Sequence, residues 1–367
     1  MTITTRKATL GGLASLGVLA LLAACAPAPT DDNAGSGGTD SDFLPCVVSD
    51  FGGFDDQSFN QSSFEGISKA SEELGVEFKQ AESASEDQYA GNVTSMVDQG
   101  CDFVLTVGFA LANATRDAAQ ANEDVNFAII DSALSNDDFS PLSLDNVKPV
   151  LYDTAQAAFL AGYLAAGTSQ TGTIGTFGGL QFPSVTIFMD GFADGIDYYN
   201  EAKGTDVKLS GWDKASQSGL FAGGFDDISA GKTLSQGLID AGADIILPVA
   251  GPLFQGTAQA ITESGKDVAI VGVDSDLFLT APEFDALYLT SVTKSMTDAT
   301  DLIITDAAAG DFSSDPYVGT LENEGVGLAP LHEWESKVDP ALVTEVDDIK
   351  AQIISGDIVV TSDATPK

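Results

Sequence analysis

Short apolar, β-prone runs alternate with segments of helix length through most of this 367-residue chain, and no other feature restricts its fold as tightly. The runs fall at 44–49, 76–80, 102–107 and 125–130, separated by helix-patterned stretches at about 61–74, 85–99 and 110–122. A strand, a helix and a second strand in succession return to the same sheet in the parallel sense, so the helices must cover its faces. A second series begins near Tyr152, with helix 154–168, strand 172–177, helix 184–199, strand 206–211, helix 227–241, strand 244–250, helix 254–264 and strand 268–273. The expected fold is α/β, with two doubly wound parallel-sheet lobes joined by a hinge around a central cleft. After Asp274 the pattern predicts a strand at 287–292, a helix over 295–309, a hairpin within 317–328 and an amphipathic helix at 340–354. The first lobe is placed at 43–150 plus about 275–315, and the second at 151–274 plus about 316–367.

The first 42 residues differ in character. Arg6 and Lys7 precede an apolar, charge-free run from Ala8 to Ala24, which ends in Leu22-Ala23-Ala24 followed by Cys25. A basic start, a short apolar stretch and small residues before a cut form a secretory signal, too short to span a bilayer. A cysteine directly behind the small residues turns that signal into a bacterial lipobox. Residues 1–24 are therefore read as the signal peptide and Cys25 as the lipidated first residue of the mature protein, on the extracytoplasmic face of the cell membrane. Residues 25–42 hold that cysteine and then, from 26, Ala-Pro-Ala-Pro and a Gly, Ser, Thr and Asp-rich stretch without large apolar side chains, which reads as a flexible tether.

Charge narrows the partners. With 55 acidic residues against 15 basic, the net charge of −40 repels phosphate backbones and excludes nucleic acid. The carboxylates are scattered, as on a solvated acidic surface, and they favour a neutral or cationic ligand. Cys46 and Cys101 each open an apolar run. In a doubly wound sheet the first and third strands are neighbours, which leaves either a disulfide, permitted outside the cytoplasm, or two buried thiols.

Asp50-Phe51-Gly52-Gly53-Phe54-Asp55-Asp56-Gln57-Ser58-Phe59-Asn60-Gln61-Ser62 is the densest polar motif and lies between the first strand and the first helix. Paired glycines allow a tight turn, Ser58 or Asn60 can cap the helix, and Phe59 places a large ring among Asp, Asn and Gln, which suits a flat hydrogen-bonding ligand. A capped turn whose ring enters the core is the plainer alternative. The segment matches the D-x-G-G-x-x-D-x-S-F-N-Q signature of the basic membrane protein family of bacterial lipoproteins, also called the purine nucleoside receptor family. The resemblance continues in Ala128-Ile129-Ile130-Asp131, Gly178-Gly179-Leu180-Gln181-Phe182-Pro183, Gly191-Phe192-Ala193-Asp194-Gly195, Gly224-Phe225-Asp226-Asp227, Ile246-Leu247-Pro248-Val249-Ala250-Gly251, Gly272-Val273-Asp274 and Thr290-Ser291-Val292-Thr293-Lys294.

That resemblance implies a type I periplasmic-binding-protein-like fold and a substrate-binding component of an ABC nucleoside importer. On this chain it implies that Asp50 bonds the base, with Asn60 beside it, and that Phe59 stacks on one face and Phe225 on the other. Asp131 would contact the ligand, and Gly251, Asp274 and Lys294 would surround the ribose. The residues themselves support part of this, because Asp131 and Asp274 each end an apolar run, where the cleft of an open parallel sheet lies. Two departures stand out. Gly223-Gly224-Phe225 replaces a usual Gly-Ser-Phe, leaving Phe221 as an alternative ring, and Pro252 stands where a second glycine is usual.

Catalytic signals are poor. His332 is the one histidine, and no G-x-S-x-G elbow, P-loop or H-E-x-x-H motif is present. No enzyme activity, metal or cofactor is expected. The expected partners are a nucleoside and an ABC permease, with the chain a monomer held by its lipid. A sugar or signal-molecule receptor of the same fold, or a secreted nucleoside hydrolase, are the alternatives.

Overall fold

The computed structural model describes residues 43–366. The expected signal peptide, Cys25 and tether lie outside the described residues.

The first lobe is built on β1 (Pro45–Ser49), β2 (Lys79–Ala81), β3 (Phe103–Val107), β4 (Asn126–Ile130) and β5 (Val147–Tyr152), linked by α1 (Phe59–Leu74), α2 (Tyr89–Asp98) and α3 (Ala112–Ala121). The second lobe begins with α4 (Thr154–Thr168), β6 (Thr173–Gly178), α5 (Pro183–Lys203) and β7 (Lys208–Ser210). A small antiparallel pair follows, β8 (Trp212–Asp213) and β9 (Ser218–Gly219). Next come α6 (Ile228–Asp240), β10 (Ile245–Val249), α7 (Phe254–Ser264), β11 (Ala269–Asp274), α8 (Leu277–Thr280) and β12 (Tyr288–Lys294). The chain ends with α9 (Met296–Ala308), β13 (Tyr317–Gly319), β14 (Val326–Leu328) and α10 (Pro340–Ser355).

Both sheets have the same winding. The first runs β2-β1-β3-β4-β5-β13, parallel throughout, and the second runs β7-β6-β10-β11-β12-β14, with β14 alone antiparallel. Their central strands are apolar on both sides because helices cover both. Val47, Phe103 and Leu105 belong to a core that also holds Ile67 of α1 and Ile303 of α9. Their neighbours Val48, Val104 and Phe127 face Val93 of α2 and Ala119 of α3. In the second sheet Leu247 and Val271 share a core with α4 and α5, whereas Ile246 and Ile270 pack with Leu238 of α6 and Ile261 of α7. Small residues set the α4–α5 distance: a Cβ on Gly191 would lie 2.2 Å from the Ala155 carbonyl, and one on Gly195 2.0 Å from that of Phe159. The Gly191-to-Gly195 motif therefore serves helix packing.

Cys46 on β1 and Cys101 just before β3 form a disulfide with a Cα separation of 6.0 Å. The strand order makes this possible, since β1 pairs with β3 directly.

Two expectations are corrected. Strand β12 joins β11 in the second sheet, so the segment 275–315 does not belong to the first lobe as a block. Only its later part returns, with α9 packing on α1, Phe312 meeting Phe103 of β3, and Lys148 of β5 donating to the Ser313 and Asp315 carbonyls. Alternating βα patterning is the same in either lobe and says nothing of which sheet a strand joins. The hairpin at 317–328 is absent as well: β13 extends the first sheet beside β5, and β14 crosses to pair with β12. One strand goes unseen in the sequence: β5 carries Lys148 and Pro149, which hide it, yet it pairs with both β4 and β13. The chain thus passes between lobes three times, after β5, after β12 and between β13 and β14, which makes a three-stranded hinge.

Candidate functional site

Asp50, Phe59, Asn60, Asp131, Phe225, Gly251, Asp274 and Lys294, the eight expected ligand contacts, line one cavity between the lobes. Winding explains the convergence, because the carboxyl ends of β1, β4, β11 and β12 supply Asp50, Asp131, Asp274 and Lys294. Asp131 and Asp274 occupy corresponding places in the two sheets. Both adopt left-handed backbone conformations, with φ of +62° and +70°. Such geometry is costly for non-glycine residues and turns each carboxylate out of its strand into the cavity wall.

Lys294 joins the lobes electrostatically. Its Nζ lies 2.5 Å from Asp131 Oδ2 and 3.2 Å from Asp274 Oδ1, and all three side chains are buried. The rings of Phe188, Phe59 and Tyr152 surround the ammonium, with centroids 5.0, 5.2 and 5.7 Å away. Burial alone would push the ammonium down, but the two carboxylates outweigh it and hold Lys294 above the ordinary lysine range.

A second polar group surrounds Asp50. The Asn60 side-chain amide donates to Asp50 Oδ1 at 2.9 Å and to Asp56 Oδ2 at 3.2 Å. This fixes the orientation of Asn60, since its NH₂ must face the two carboxylates. Burial pushes the Asp50 carboxyl well above the usual range, with Asn60 opposing and Asp56, Asp131 and Asp274 adding to the rise. Gly108 makes room for it: a Cβ there would stand 2.2 Å from Asp50 Oδ2, and its φ of +109° excludes other residues. The cap of α1 is neither the Ser58 nor the Asn60 side chain. Asp56 accepts the amides of Asn60 at 2.9 Å and of Ser58 and Gln61 at 3.0 Å, while the Ser58 hydroxyl turns toward the Val273 carbonyl, 3.3 Å away.

Of the two candidate rings in the second lobe, Phe225 lines the cavity. Phe221 instead packs edge-on against Trp212 and close to Gly178. Within the first motif it is Phe54 that enters the core, stacking on Phe64 at 4.8 Å. Sequence reasoning missed Phe51, Asp56, Phe109, Ser184 and Phe188, which also line the cavity, as does Pro252, the departure noted in the sequence. Phe109 was findable, since it follows the end of β3; Phe188, one helical residue among many, carries no such signal. His332 lies outside the cavity lining, bonded to Asp276 at 2.7 Å and stacked on Phe278. Among the described residues no group of three or more metal-ligating side chains is assembled, and no helix is long and apolar enough to cross a membrane.

Residues 44–364 match the family model described as Bmp, ABC transporter substrate-binding protein PnrA-like. The chain belongs to that family. It is 31% identical over 314 residues to basic membrane protein A of Borreliella burgdorferi, covering 85% of this chain and 86% of that one. It is 29% identical to the ABC transporter nucleoside-binding protein BmpA of Lactococcus lactis, covering 95% and 97%. A solved ABC transporter solute-binding protein from Aeropyrum pernix superposes with a TM-score of 0.76 at 25% identity, over 88% of this chain and 94% of that one. The protein is thus an ABC transporter substrate-binding protein of periplasmic-binding-protein fold and not an enzyme, which sets aside the hydrolase alternative.

Proposed function

We propose that the protein binds nucleosides, purine nucleosides among them, in the interlobe cavity. Held as a monomer on the outer face of the cell membrane by lipid on Cys25, it hands them to an ABC permease. The observation that carries the reading is the combination of groups in one cavity. Phe59 and Phe225 offer ring faces to a base, Asp50 and Asn60 offer hydrogen-bonding groups to its edge, and the Asp131–Lys294–Asp274 triad offers acceptors and a donor to vicinal hydroxyls. A nucleoside-binding relative of nearly full length supports the same reading.

Titration calorimetry with adenosine, guanosine, inosine, cytidine, uridine and ribose tests it. Binding of at least one purine nucleoside is expected, and Phe59→Ala should weaken it by more than about 1 kcal/mol, the lower end of base stacking. Heat with ribose but with no nucleoside would favour a sugar receptor of the same fold. The anchor is tested separately. Cys25→Ser should leave the protein soluble and competent to bind; a variant still found in the membrane fraction would rule out lipid attachment there. Sedimentation at a dimer's mass would refute the monomer.

A further inference from the structure

Four phenylalanine rings meet across the cleft in an order that alternates between the lobes. Phe51, after β1, stacks on Phe225 of the second lobe with centroids 5.9 Å apart and planes 21° apart. Phe225 in turn meets the edge of Phe109, after β3, at 6.1 Å. Phe109 then stacks on Phe182 of the second lobe at 4.0 Å and 23°. Phe51, Phe109 and Phe225 line the cavity, whereas Phe182 does not and is 41% exposed, so the row runs from the cavity wall out to solvent.

Two of the rings are seated by the backbone. Phe225 rests on Gly179, where a Cβ would lie 2.3 Å from the ring. Phe182 immediately precedes α5, whose first residue is Pro183, and its carbonyl accepts the amides of Val185 and Thr186 in the first turn. Since each contact in the row joins one lobe to the other, opening the hinge separates all three at once.

We propose that these rings form a latch that holds the lobes closed and sets the residence time of the ligand. Phe182 and Phe51 act as positioning residues, Phe182 through Phe109 and Phe51 through Phe225. The kinetic part rests on the nucleoside reading above, and the structural part does not. An aromatic pair contributes beyond its area to the closed state alone, so losing it accelerates release and leaves capture by the open form nearly unchanged.

Stopped-flow release of a bound purine nucleoside from the full chain, chased with excess ligand, compares wild type with Phe182→Ala, Phe109→Ala and the double variant. Phe182→Ala should raise koff about 2- to 12-fold, the range for one aromatic pair, with kon changed less than twofold. The double variant should show less than the product of the single effects, and Phe182→Trp should restore slow release. Phe182 is partly exposed, so its truncation does not threaten folding. Small-angle scattering of the ligand-free protein provides an arm independent of ligand identity: Phe182→Ala should increase the radius of gyration. If scattering responds while no nucleoside binds, the latch stands and the nucleoside reading falls. An unchanged radius, an unchanged koff with a nucleoside that binds, or fully multiplicative single effects would overturn the latch.

Discussion

Replacing Lys294 by methionine leaves the Asp131 and Asp274 carboxylates facing each other, side chains 8% and 9% exposed, without the ammonium that sits 2.5 and 3.2 Å from them. Removing one partner of a buried ion pair costs about 3–5 kcal/mol, because an uncompensated charge stays behind in low dielectric. Roughly 320 folded residues unfold with an entropy near 0.7 kcal/mol/K, so that cost lowers Tm by about 4–7 °C at pH 7. The pH dependence has a definite sign. In wild type the folded-state pKa of Lys294 is raised, so its stabilisation is present below the ordinary lysine pKa and is lost as pH rises through the raised value. Burial already raises the Asp131 carboxyl in wild type against the opposing ammonium, and in Lys294→Met that opposition is gone, so the folded-state rise is larger. The deficit should therefore shrink as pH falls toward about 4, where Asp131 takes up its proton. Thermal melts followed by circular dichroism at several pH values measure this. The triple variant Lys294→Met, Asp131→Asn, Asp274→Asn carries no buried charge at these positions and should recover most of the loss. A single variant as stable as wild type, or a triple variant no better than the single, would refute the account of the triad.

Two further outcomes follow from the same chemistry. Asp50→Asn keeps the shape and the bond from Asn60 but removes a buried carboxyl whose pKa is raised by burial, so Tm should rise at pH 7 and the gain should vanish as pH falls toward about 3.9. The same change should weaken nucleoside binding by about 10-fold or more, as for loss of a charged hydrogen bond, and a lower Tm together with unchanged affinity would contradict both halves. Replacing Cys46 and Cys101 by alanine releases a cross-link spanning 55 residues and should cost about 2–4 kcal/mol in urea unfolding; an unchanged midpoint would show that the bridge adds nothing.

Much of the candidate site was legible because its signals are local. Asp131 and Asp274 end apolar runs, and the first motif lies where a strand gives way to a helix, so all three point to strand ends and hence to the cleft. Other roles depend on how the backbone turns and on which side chains already occupy the neighbouring space. Asp56 takes over the cap expected of Ser58 or Asn60 because the turn from Gly52 to Gln57 folds its carboxylate back over the first amides of α1. Phe225 rather than Phe221 reaches the cavity because Trp212 and Gly178 already hold Phe221 in the second lobe. Phe188 and Tyr152 close around Lys294 from α5 and the end of β5, two elements that the linear pattern does not connect.

From the sequence alone came the α/β class, the doubled winding and most helix spans, because strand and helix periodicities are written residue by residue. The same local logic placed the acids at strand ends. Only the tertiary structure decided that β12 and β14 belong to the second sheet and β13 to the first, since identical βα patterning is compatible with either lobe. It also decided that one lysine serves two carboxylates from opposite lobes and that four rings interleave across the cleft. These are contacts between residues 20 to 174 positions apart, and what selects them is packing and desolvation in three dimensions rather than any spacing along the chain.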